Sequence, residues 1–502
     1  MNNGKICVSV CAETAEEMLE QIRRAEDSAD VIEVRLDCLQ PKQIHKAFAF
    51  LASKKPLLLT YRPKKQGGKA EDDLNNRKLL WIVFVLNGSL DTKKLWFDYE
   101  EDLTNLQKVS NPVTIRSYHD FSGTPENLSE IFGHLSAKSD VAKIAVQADD
   151  ISDSIAVWKL LEKAQSENKQ IIPIAMGEAG KWTRILGLAH GALMTYAALN
   201  AGNETAPGQI SAQDLIDIYR VKELNEQTEI YGILGNPVSH SLSPFMHNAA
   251  FKARNMNAVF IPFEIKNLDE FIKRFVKKET REVKLNFKGF SVTIPHKQAI
   301  IKHLDSIDET AKRIGAVNTV KIVDGKLQGF NTDAPGFIEP LRNSYGDLCG
   351  AKVAILGSGG AARACVYALK KEGANVCVYA RNLEKAENLA AEFEVELREL
   401  VITNDALRDF DILVNTTPLG MKGRFEMETP LRAAQIESVK LVYDLVYNPF
   451  ETRLLKEAKS VGVPTIGGFA MLAAQGAAQF KIWTGEAAPV KEMSAAALRK
   501  LS

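Results

Sequence analysis

The stretch Val353-Ala-Ile-Leu-Gly-Ser-Gly-Gly-Ala-Ala-Arg363 decides much of the fold, because an apolar strand runs straight into a glycine-rich turn that opens a helix. Its G-x-G-x-x-A spacing lets the backbone turn tightly and bring free N–H groups to a pyrophosphate. A second strand, Asn375-Val-Cys-Val-Tyr-Ala-Arg381, ends on an arginine with no acidic neighbour. An acidic residue there would bind the ribose of NAD, whereas an arginine pairs with the 2′-phosphate of NADP. The motif predicts an NADP-binding Rossmann unit; the alternative is a glycine turn that merely joins strand and helix.

Length and charge narrow the class of protein. A chain of 502 residues is long enough for about three domains. Its 63 basic and 63 acidic residues cancel, so no electrostatic footprint favours nucleic acid or an anionic membrane. The composition indicates small-molecule chemistry and leaves the oligomeric state open.

Cysteine placement and apolar runs bear on the compartment. The six cysteines form no C-x-x-C pair and accompany no histidine cluster, which predicts free core thiols, no metal site and a reducing cytoplasm. The start of the chain lacks the apolar stretch of a signal peptide. The run Leu79-Leu-Trp-Ile-Val-Phe-Val-Leu86 is too short to span a membrane and is expected to be a buried helix segment.

The pattern of elements predicts an α/β protein in three parts. Residues 1–222 alternate eight strand-like and helix-like segments, as in a (β/α)₈ barrel. A polar stretch, residues 223–228, is the expected linker. Residues 229–340 form a second α/β unit, completed by about 465–502, and residues 341–464 form the Rossmann unit.

Charged residues alternate with apolar ones along the strands of the first part. In Val31-Ile-Glu-Val-Arg-Leu-Asp37 the charged residues share one face, and helices cover the outer face of a parallel barrel, so the charges point inward. Lys143 lies within Val-Ala-Lys-Ile-Ala-Val, where desolvation favours a neutral amine able to form an imine with a ketone. His119, one strand earlier, is then placed for general acid/base work. The alternative is that Lys143 only balances Glu33 or Asp98 in a buried ion network.

Residues 5–220 resemble a type I 3-dehydroquinate dehydratase. The resemblance rests on the order and spacing of Glu33-Val-Arg-Leu-Asp37, Thr60-Tyr-Arg62, Ser117-Tyr-His119, Lys143, Met176, Arg184 and Ala206-Pro-Gly-Gln209. It implies that Lys143 forms a Schiff base, that His119 is the general acid/base, and that Glu33 and Arg35 orient His119 and the substrate hydroxyls. It also implies that Arg184 binds the substrate carboxylate, with Arg62, Thr205 and Gln209 lining the pocket. Gln66 departs from the family pattern, where Glu is expected, and Thr205 stands where Ser is usual.

The second half gathers hydroxyls and a Lys/Asp pair. Gly235-Asn-Pro-Val-Ser-His-Ser-Leu-Ser-Pro-Phe-Met-His-Asn248 precedes a helix, where its hydroxyls cap the helix or bind a carboxylate. Phe290-Ser-Val-Thr-Ile-Pro-His-Lys297 ends on a lysine, and Asn331-Thr-Asp333 supplies an aspartate. A Lys and an Asp brought together make a proton relay for an alcohol or ketone.

Residues 229–490 are similar to shikimate dehydrogenases. The resemblance implies that Lys297 and Asp333 are the catalytic pair, and that substrate oxygens contact Ser241, Ser243, Ser291, Thr293, Asn318 and Gln475. It assigns NADP contacts to Gly357, Gly359, Gly360, Ala361, Arg381, Thr416 and Met471. Ala380 departs from the pattern, since Asn is common before the arginine.

The two resemblances imply consecutive reactions. The expected enzyme dehydrates 3-dehydroquinate to 3-dehydroshikimate and reduces that ketone with NADPH to shikimate. Two alternatives remain open: a dehydratase fused to a quinate dehydrogenase, and a regulatory binding protein that has kept both pockets without turnover.

Overall fold

The computed structural model describes residues 2–47, 53–86, 94–103, 113–401, 403 and 406–501. The chain divides into two compact units: residues 1–230, 237–240 and 257–287 form the first, and residues 231–236, 241–256 and 288–502 form the second. The three-domain division expected from the sequence stays a prediction.

The first unit contains the predicted parallel barrel. Its strands are β1 (Lys5–Val10), β2 (Val31–Arg35), β3 (Leu57–Thr60), β4 (Leu95–Glu100), β5 (Val113–Asp120), β6 (Val141–Gln147), β7 (Gln170–Met176), β8 (Met194–Ala198) and β9 (Ile210–Ser211). They are ordered β7-β6-β5-β4-β3-β2-β1-β8-β9. The N–H of Leu193, the residue before β8, donates to the Ile171 carbonyl in β7 at 3.0 Å. This hydrogen bond brings β8 next to β7 and closes the sheet. All eight predicted strands are present.

Helices connect these strands and cover their outer faces. They are α1 (Ala15–Ala25), α2 (Ile44–Ala47), α3 (Leu74–Leu86), α4 (Leu128–Ser136), α5 (Ser154–Ser166), α6 (Lys181–Leu186) and α7 (Ala212–Asp217). In β2 the outward Val34 and the inward Glu33 are both buried. Inward polar residues therefore have no water-exposed face and must find partners inside the barrel.

Two expectations about the first unit are wrong. Cys11 and Cys38 form a disulfide instead of carrying free core thiols; their side chains meet because β1 and β2 are neighbours and each cysteine follows the end of its strand. The apolar run in α3 is also only partly buried. Trp81 is buried, but Leu79, Ile82 and Val83 are 59%, 46% and 48% exposed, because their spacing of three and four residues places them together on a helix face that does not include Trp81.

The next part of the chain builds a mixed sheet. Its strands are β10 (Glu229–Gly235), β11 (Ala258–Glu264), β12 (Phe287–Val292), β13 (Ser306–Ile307), β14 (Thr319–Val323) and β15 (Lys326–Phe330), ordered β11-β10-β12-β14-β15-β13. The pairs β12/β14 and β14/β15 are antiparallel. The helices are α8 (Ser243–Ala253), α9 (Leu268–Phe271), α10 (Glu309–Ile314) and α11 (Asp333–Tyr345).

The glycine motif opens a doubly wound parallel sheet in the second unit. Its strands are β16 (Lys352–Leu356), β17 (Asn375–Ala380), β18 (Glu396–Glu399), β19 (Ile412–Asn415), β20 (Leu441–Asp444) and β21 (Thr465–Gly467). Its helices are α12 (Gly360–Lys371), α13 (Leu383–Phe393), α14 (Ala433–Ile436) and α15 (Arg453–Ser460), followed by α16 (Gly468–Thr484) and α17 (Val490–Leu501). The strands are ordered β18-β17-β16-β19-β20-β21, so the chain builds the sheet outward from β16 first on one side and then on the other. This is the Rossmann arrangement expected from the sequence.

None of the helices in the described ranges is long and apolar enough to cross a membrane.

Candidate active sites

The interior of the barrel opens into a cavity of about 410 Å³, counted with its mouth. We call it the barrel cavity. It is lined by Glu33, Arg35, Arg62, Gln66, Gly67, His119, Phe121, Lys143, Ala145, Ile174, Met176, Arg184, Tyr196, Thr205, Ala206 and Gln209. The structure therefore brings together the eight residues that the sequence assigned to the first site, from β2, β5, β6, α6 and the segments that follow β3 and β8.

Lys143 is held in a buried ion network. Its Nζ lies 3.0 Å from Asp98 Oδ2 and 3.7 Å from Glu33 Oε1. Arg62 shares the same Asp98 oxygen at 2.7 Å. Burial alone would raise the pKa of both carboxyls, but the positive charges, Lys143 first, hold the pKa of Glu33 and of Asp98 below their ordinary values. Lys143 therefore does balance Glu33 and Asp98 in a buried ion network, and it also lines the barrel cavity.

His119 is surrounded by positive charge. Burial and the cations Arg62, Lys143 and Arg35 lower the pKa of its imidazole well below 6.5, so the ring is neutral and able to accept a proton near pH 7. The guanidinium of Arg62 contacts both ring nitrogens. The resemblance had assigned the orientation of His119 to Glu33 and Arg35, but their hydrogen bonds go elsewhere.

Glu33 is hydrogen-bonded to the two neighbouring strands, and Arg35 to the segment that follows β2. Glu33 accepts hydrogen bonds from Ser9 Oγ at 2.6 Å and Thr60 Oγ1 at 2.9 Å. Arg35 donates twice to Asp37, at 2.9 and 2.7 Å. Asp37 in turn accepts from the Lys69 N–H at 3.0 Å, which ties the segment containing Gln66 to the end of β2.

Arg184 is the cation in this cavity whose charge lacks a carboxylate. It is 2% exposed, and its NH2 group donates a hydrogen bond to the Pro207 carbonyl at 3.1 Å. Its Nε and NH1 have no partner among the described residues, and burial lowers its pKa to about 10. A buried guanidinium with free donors at a cavity wall favours an anionic ligand.

Two departures from the family pattern also line the cavity. Gln66 is 5% exposed, and its Oε1 has no hydrogen-bond partner in the described parts of the chain. Thr205 bonds to Gln209: the Thr205 N–H donates to Gln209 Oε1 at 2.7 Å. Gln209 is thereby fixed at the cavity wall, while the Gln66 carbonyl remains able to accept a hydrogen bond.

In the second unit, Lys297 and Asp333 form an ion pair through Nζ and Oδ2. We call their surroundings the Lys297 site. Lys297 comes five residues after β12, and Asp333 is the first residue of α11. Asn318 donates to Asp333 Oδ1 at 2.8 Å and to Thr332 Oγ1 at 3.0 Å, which fixes the carboxylate. The predicted Lys/Asp pair is thus assembled from distant parts of the sequence.

Helix α16 adds two glutamines to the Lys297 site. Gln475 Nε2 donates to the Leu472 carbonyl at 3.1 Å, and Thr332 Oγ1 lies 3.5 Å from Gln475 Oε1. Gln479, which the sequence analysis missed, accepts from Ser291 Oγ at 2.8 Å and donates to the Asn318 carbonyl at 3.2 Å. Its position four residues after Gln475 was the available signal, since such residues share a helix face.

The hydroxyls predicted for substrate binding lie at element ends. Ser243 is the first residue of α8, and its N–H donates to Ser241 Oγ at 3.2 Å. Ser241 thus bonds to the first residue of α8, but the N-cap residue, Leu242, makes no side-chain capping hydrogen bond, and Ser243 is 5% exposed. Thr293 directly follows β12, and its N–H donates to the Leu234 carbonyl at 2.9 Å.

The glycine motif has the conformation of a nucleotide-binding turn. Gly357 has φ = 107°, and a Cβ there would meet Thr416 Oγ1 at 2.6 Å, so only glycine fits. Gly359 caps α12 with open space beside it, Gly360 begins the helix and Ala361 follows. These residues leave the helix N-terminus accessible to a phosphate.

The remaining cofactor candidates differ in setting. Thr416 Oγ1 donates to the Leu356 carbonyl at 2.7 Å, beside the turn. Arg381 follows β17 and is exposed, with no acidic partner among the described residues. Met471 on α16 is 8% exposed and packs within the apolar core of the sheet.

Family models match most of the chain. Residues 6–226 match the type I 3-dehydroquinase model, and residues 233–320 match the shikimate dehydrogenase substrate binding domain. Residues 340–428 match the shikimate / quinate 5-dehydrogenase model, and residues 468–498 match the shikimate 5'-dehydrogenase C-terminal domain.

Individual relatives agree with these matches. The bifunctional 3-dehydroquinate dehydratase/shikimate dehydrogenase of Arabidopsis thaliana, described as chloroplastic, is 35% identical over 97% of this chain and 83% of its own length. The shikimate dehydrogenase (NADP(+)) of Methanocaldococcus jannaschii is 42% identical over 56% of this chain and 99% of its own. A crystal structure of a shikimate dehydrogenase in complex with NADP+ is 42% identical, covers 56% of this chain and 98% of its own, and superposes with a TM-score of 0.51.

Both sites are assembled, and a relative named as bifunctional matches 97% of this chain, so this chain belongs to the bifunctional 3-dehydroquinate dehydratase/shikimate dehydrogenase family.

Proposed function

We propose that the chain dehydrates 3-dehydroquinate to 3-dehydroshikimate in the barrel cavity and reduces 3-dehydroshikimate to shikimate with NADPH at the Lys297 site. The observation that carries the proposal is the convergence of Lys143, His119 and the unpaired Arg184 on one cavity. Each group supplies a different requirement of the first reaction: a nucleophile, a proton acceptor and an anion receptor.

The dehydration proceeds through an imine. The substrate carboxylate binds Arg184, which places the ketone beside Lys143. Nζ first gives up a proton to a neighbouring base, and the neutral amine attacks the ketone carbon. That proton returns to the hydroxyl of the adduct, which leaves as water, and the resulting protonated imine acidifies the neighbouring C–H bond. The neutral His119 removes that proton and then donates it to the departing hydroxyl, so a second water leaves and a C=C bond forms. Hydrolysis of the imine returns the lysine.

The reduction uses the Lys297–Asp333 pair. The ketone oxygen accepts a hydrogen bond from Lys297, and the proton that completes the product hydroxyl comes from this pair. Asn318 holds Asp333 in position through its 2.8 Å hydrogen bond. The hydroxyls of Ser241 and Ser243, at the N-terminus of α8, suit the substrate carboxylate.

The residues around the glycine turn fit NADP. The open turn at Gly359 and Gly360 accepts a pyrophosphate, and the exposed, unpaired Arg381 suits the charge of a 2′-phosphate. When bound, the reduced nicotinamide supplies the hydride for the ketone. Met471 is part of the apolar core that would flank the nicotinamide ring.

A cytoplasmic location is also part of the proposal. Cys7, Cys349, Cys365 and Cys377 carry free thiols, as expected in a reducing compartment. Disulfides are rare in that compartment, so the Cys11–Cys38 bond is the one observation among the cysteines that argues against a cytoplasmic location.

Quinate is the competing substrate for the second reaction, since the model matched by residues 340–428 describes shikimate and quinate together. Quinate carries an additional hydroxyl on the carbon that bears the carboxylate, next to Ser241 and Ser243. A larger kcat/KM for shikimate than for quinate supports the proposal, and the reverse ranking contradicts it.

Borohydride added during turnover of 3-dehydroquinate should fix the ligand covalently on Lys143, because the reagent reduces an imine to a stable amine. Peptide mass spectrometry locates the adduct. Lys169, a partly exposed lysine near the barrel, is the matched control and should carry none. An adduct elsewhere, or dehydration without any adduct, contradicts the assignment.

The pH dependence of dehydration should follow the lowered pKa of His119. The neutral imidazole is the base, so kcat/KM falls only as the pH drops through a value below 6.5 and stays level from there to about pH 7.5. Burial raises the pKa of Glu100 to about 7, so Glu100→Gln is the control for an inflection in that region. A loss of activity centred above 6.5 that persists in Glu100→Gln would rule out a depressed His119.

The two activities should be separable, because each set of catalytic groups lies within its own compact unit. Lys297→Ala should reduce NADPH oxidation by about 10²-fold or more and leave dehydration within about twofold, and His119→Ala should do the reverse. Both rates are measured on the same folded preparations. Loss of both activities from either single change would show that the sites are not independent.

Arg381→Ala should raise the KM for NADPH about tenfold or more and leave NADH use nearly unchanged, since a charge-assisted pairing with phosphate contributes roughly 1.5–3 kcal/mol. Lys385→Ala, which removes an exposed cation from the next helix, is the control for general electrostatics. Equal losses with both cofactors would assign Arg381 a structural role.

A further inference from the structure

Tyr196 on β8 is an unassigned neighbour of the proposed nucleophile. Its ring centroid lies 4.0 Å from Lys143 Nζ, a distance typical of a cation held over an aromatic face. The residue is 3% exposed and lines the barrel cavity.

We propose that Tyr196 is a positioning residue for Lys143, whose aromatic face holds the positively charged nitrogen both before and after the imine forms. This inference rests on the proposed imine chemistry and adds to it a residue that acts through Lys143.

Three strands fix the position of the lysine nitrogen. Asp98 reaches it from β4 at 3.0 Å, Glu33 from β2 at 3.7 Å and Tyr196 from β8 at 4.0 Å. The two carboxylates and the ring contact the nitrogen from different strands, so moving the nitrogen closer to one of them would lengthen its distance to another. The side chain is therefore held toward the cavity in one place.

The ring differs from the carboxylates in what it requires of the nitrogen. An ammonium group has three N–H donors, whereas a protonated imine has one, so hydrogen bonds to Asp98 and Glu33 cannot all persist through the reaction. Attraction to an aromatic face depends on the positive charge and not on N–H direction. Tyr196 is thus the neighbour whose interaction survives the conversion of ammonium to iminium.

The ring is located by packing and not by its hydroxyl. Tyr196 belongs to the apolar core of the barrel, together with Cys7, Val31 and Met194. Its Oη is buried without a hydrogen-bond partner among the described residues. Phenylalanine should therefore occupy the same position with the same face toward Nζ, which makes Tyr196→Phe the conservative variant that separates ring from hydroxyl.

The test compares Tyr196→Leu, Tyr196→Phe and Met194→Ala. Met194 is a 1% exposed neighbour on the same strand and in the same core, but it does not line the barrel cavity, so its truncation controls for loss of packing. The readouts are kcat and KM for 3-dehydroquinate, the rate of borohydride trapping on Lys143, thermal unfolding as a check on the folding of the barrel, and dehydrogenase activity as a check on the second unit.

Tyr196→Leu should lower kcat and the trapping rate about tenfold, equivalent to about 1.4 kcal/mol, with KM changed by no more than about twofold. Tyr196→Phe and Met194→Ala should stay within about threefold of the unsubstituted protein. Reductase activity should be the same in all variants.

Several results would overturn the inference. A trapping rate in Tyr196→Leu equal to that of the unsubstituted protein excludes a role for the ring, and equal losses in Met194→Ala reduce the effect to packing. If Tyr196→Phe is as impaired as Tyr196→Leu, the hydroxyl of Tyr196 and not its ring is responsible for the effect. If dehydration by the unsubstituted protein leaves no adduct on Lys143, the imine itself is refuted and the Tyr196 inference with it; an adduct that forms independently of Tyr196 refutes only the latter.

Discussion

Charge burial inside the barrel is the constraint on which the first site depends. Glu33, Arg62, Asp98 and Lys143 are each no more than 3% exposed, so none of them is stable there without the others. Mutual pairing keeps both carboxylates ionised, and burial, together with the nearby Arg62, Lys143 and Arg35, lowers the pKa of His119 and keeps its ring neutral. The ion pairs that compensate the buried charges thereby also set the protonation states that the reaction needs. A substitution that removes one member leaves an uncompensated charge and changes the properties of all its neighbours.

Much of the fold followed from local patterns. The eight barrel strands and the glycine turn were visible as apolar runs, alternation and glycine spacing, because strand parity and turn conformation are local properties. The convergence of Glu33, His119 and Lys143 was also predictable, since inward residues near the ends of parallel strands meet in one place. The residues around Lys297 were harder, because Asp333 and Asn318 come from distant elements of a mixed sheet. There the resemblance to a known family, not periodicity, supplied the residues.

What the sequence could not supply was the pairing of side chains across elements. The alternation of residues along β2 predicted that Glu33 and Arg35 point inward. It did not predict that Arg35 bonds to Asp37 while Arg62 contacts His119. Tyr196 lies on β8 and Lys143 on β6, so the position of the ring over the nitrogen depends on the curvature of the whole sheet. The disulfide was missed for a similar reason: Cys11 and Cys38 are 27 residues apart in sequence, and only the adjacency of β1 and β2 brings them together.

The solitary burial of Arg184 links recognition to the stability of the barrel. Folding buries this guanidinium, and its Nε and NH1 have no hydrogen-bond partner among the described residues. An anion that enters the cavity gives these donors an acceptor and offsets the buried charge. By mass action, the first unit becomes more resistant to unfolding as the concentration of its carboxylate ligand rises. An uncharged ligand of the same shape would bring no such gain, so the fold itself discriminates between an acid and its neutral analogue.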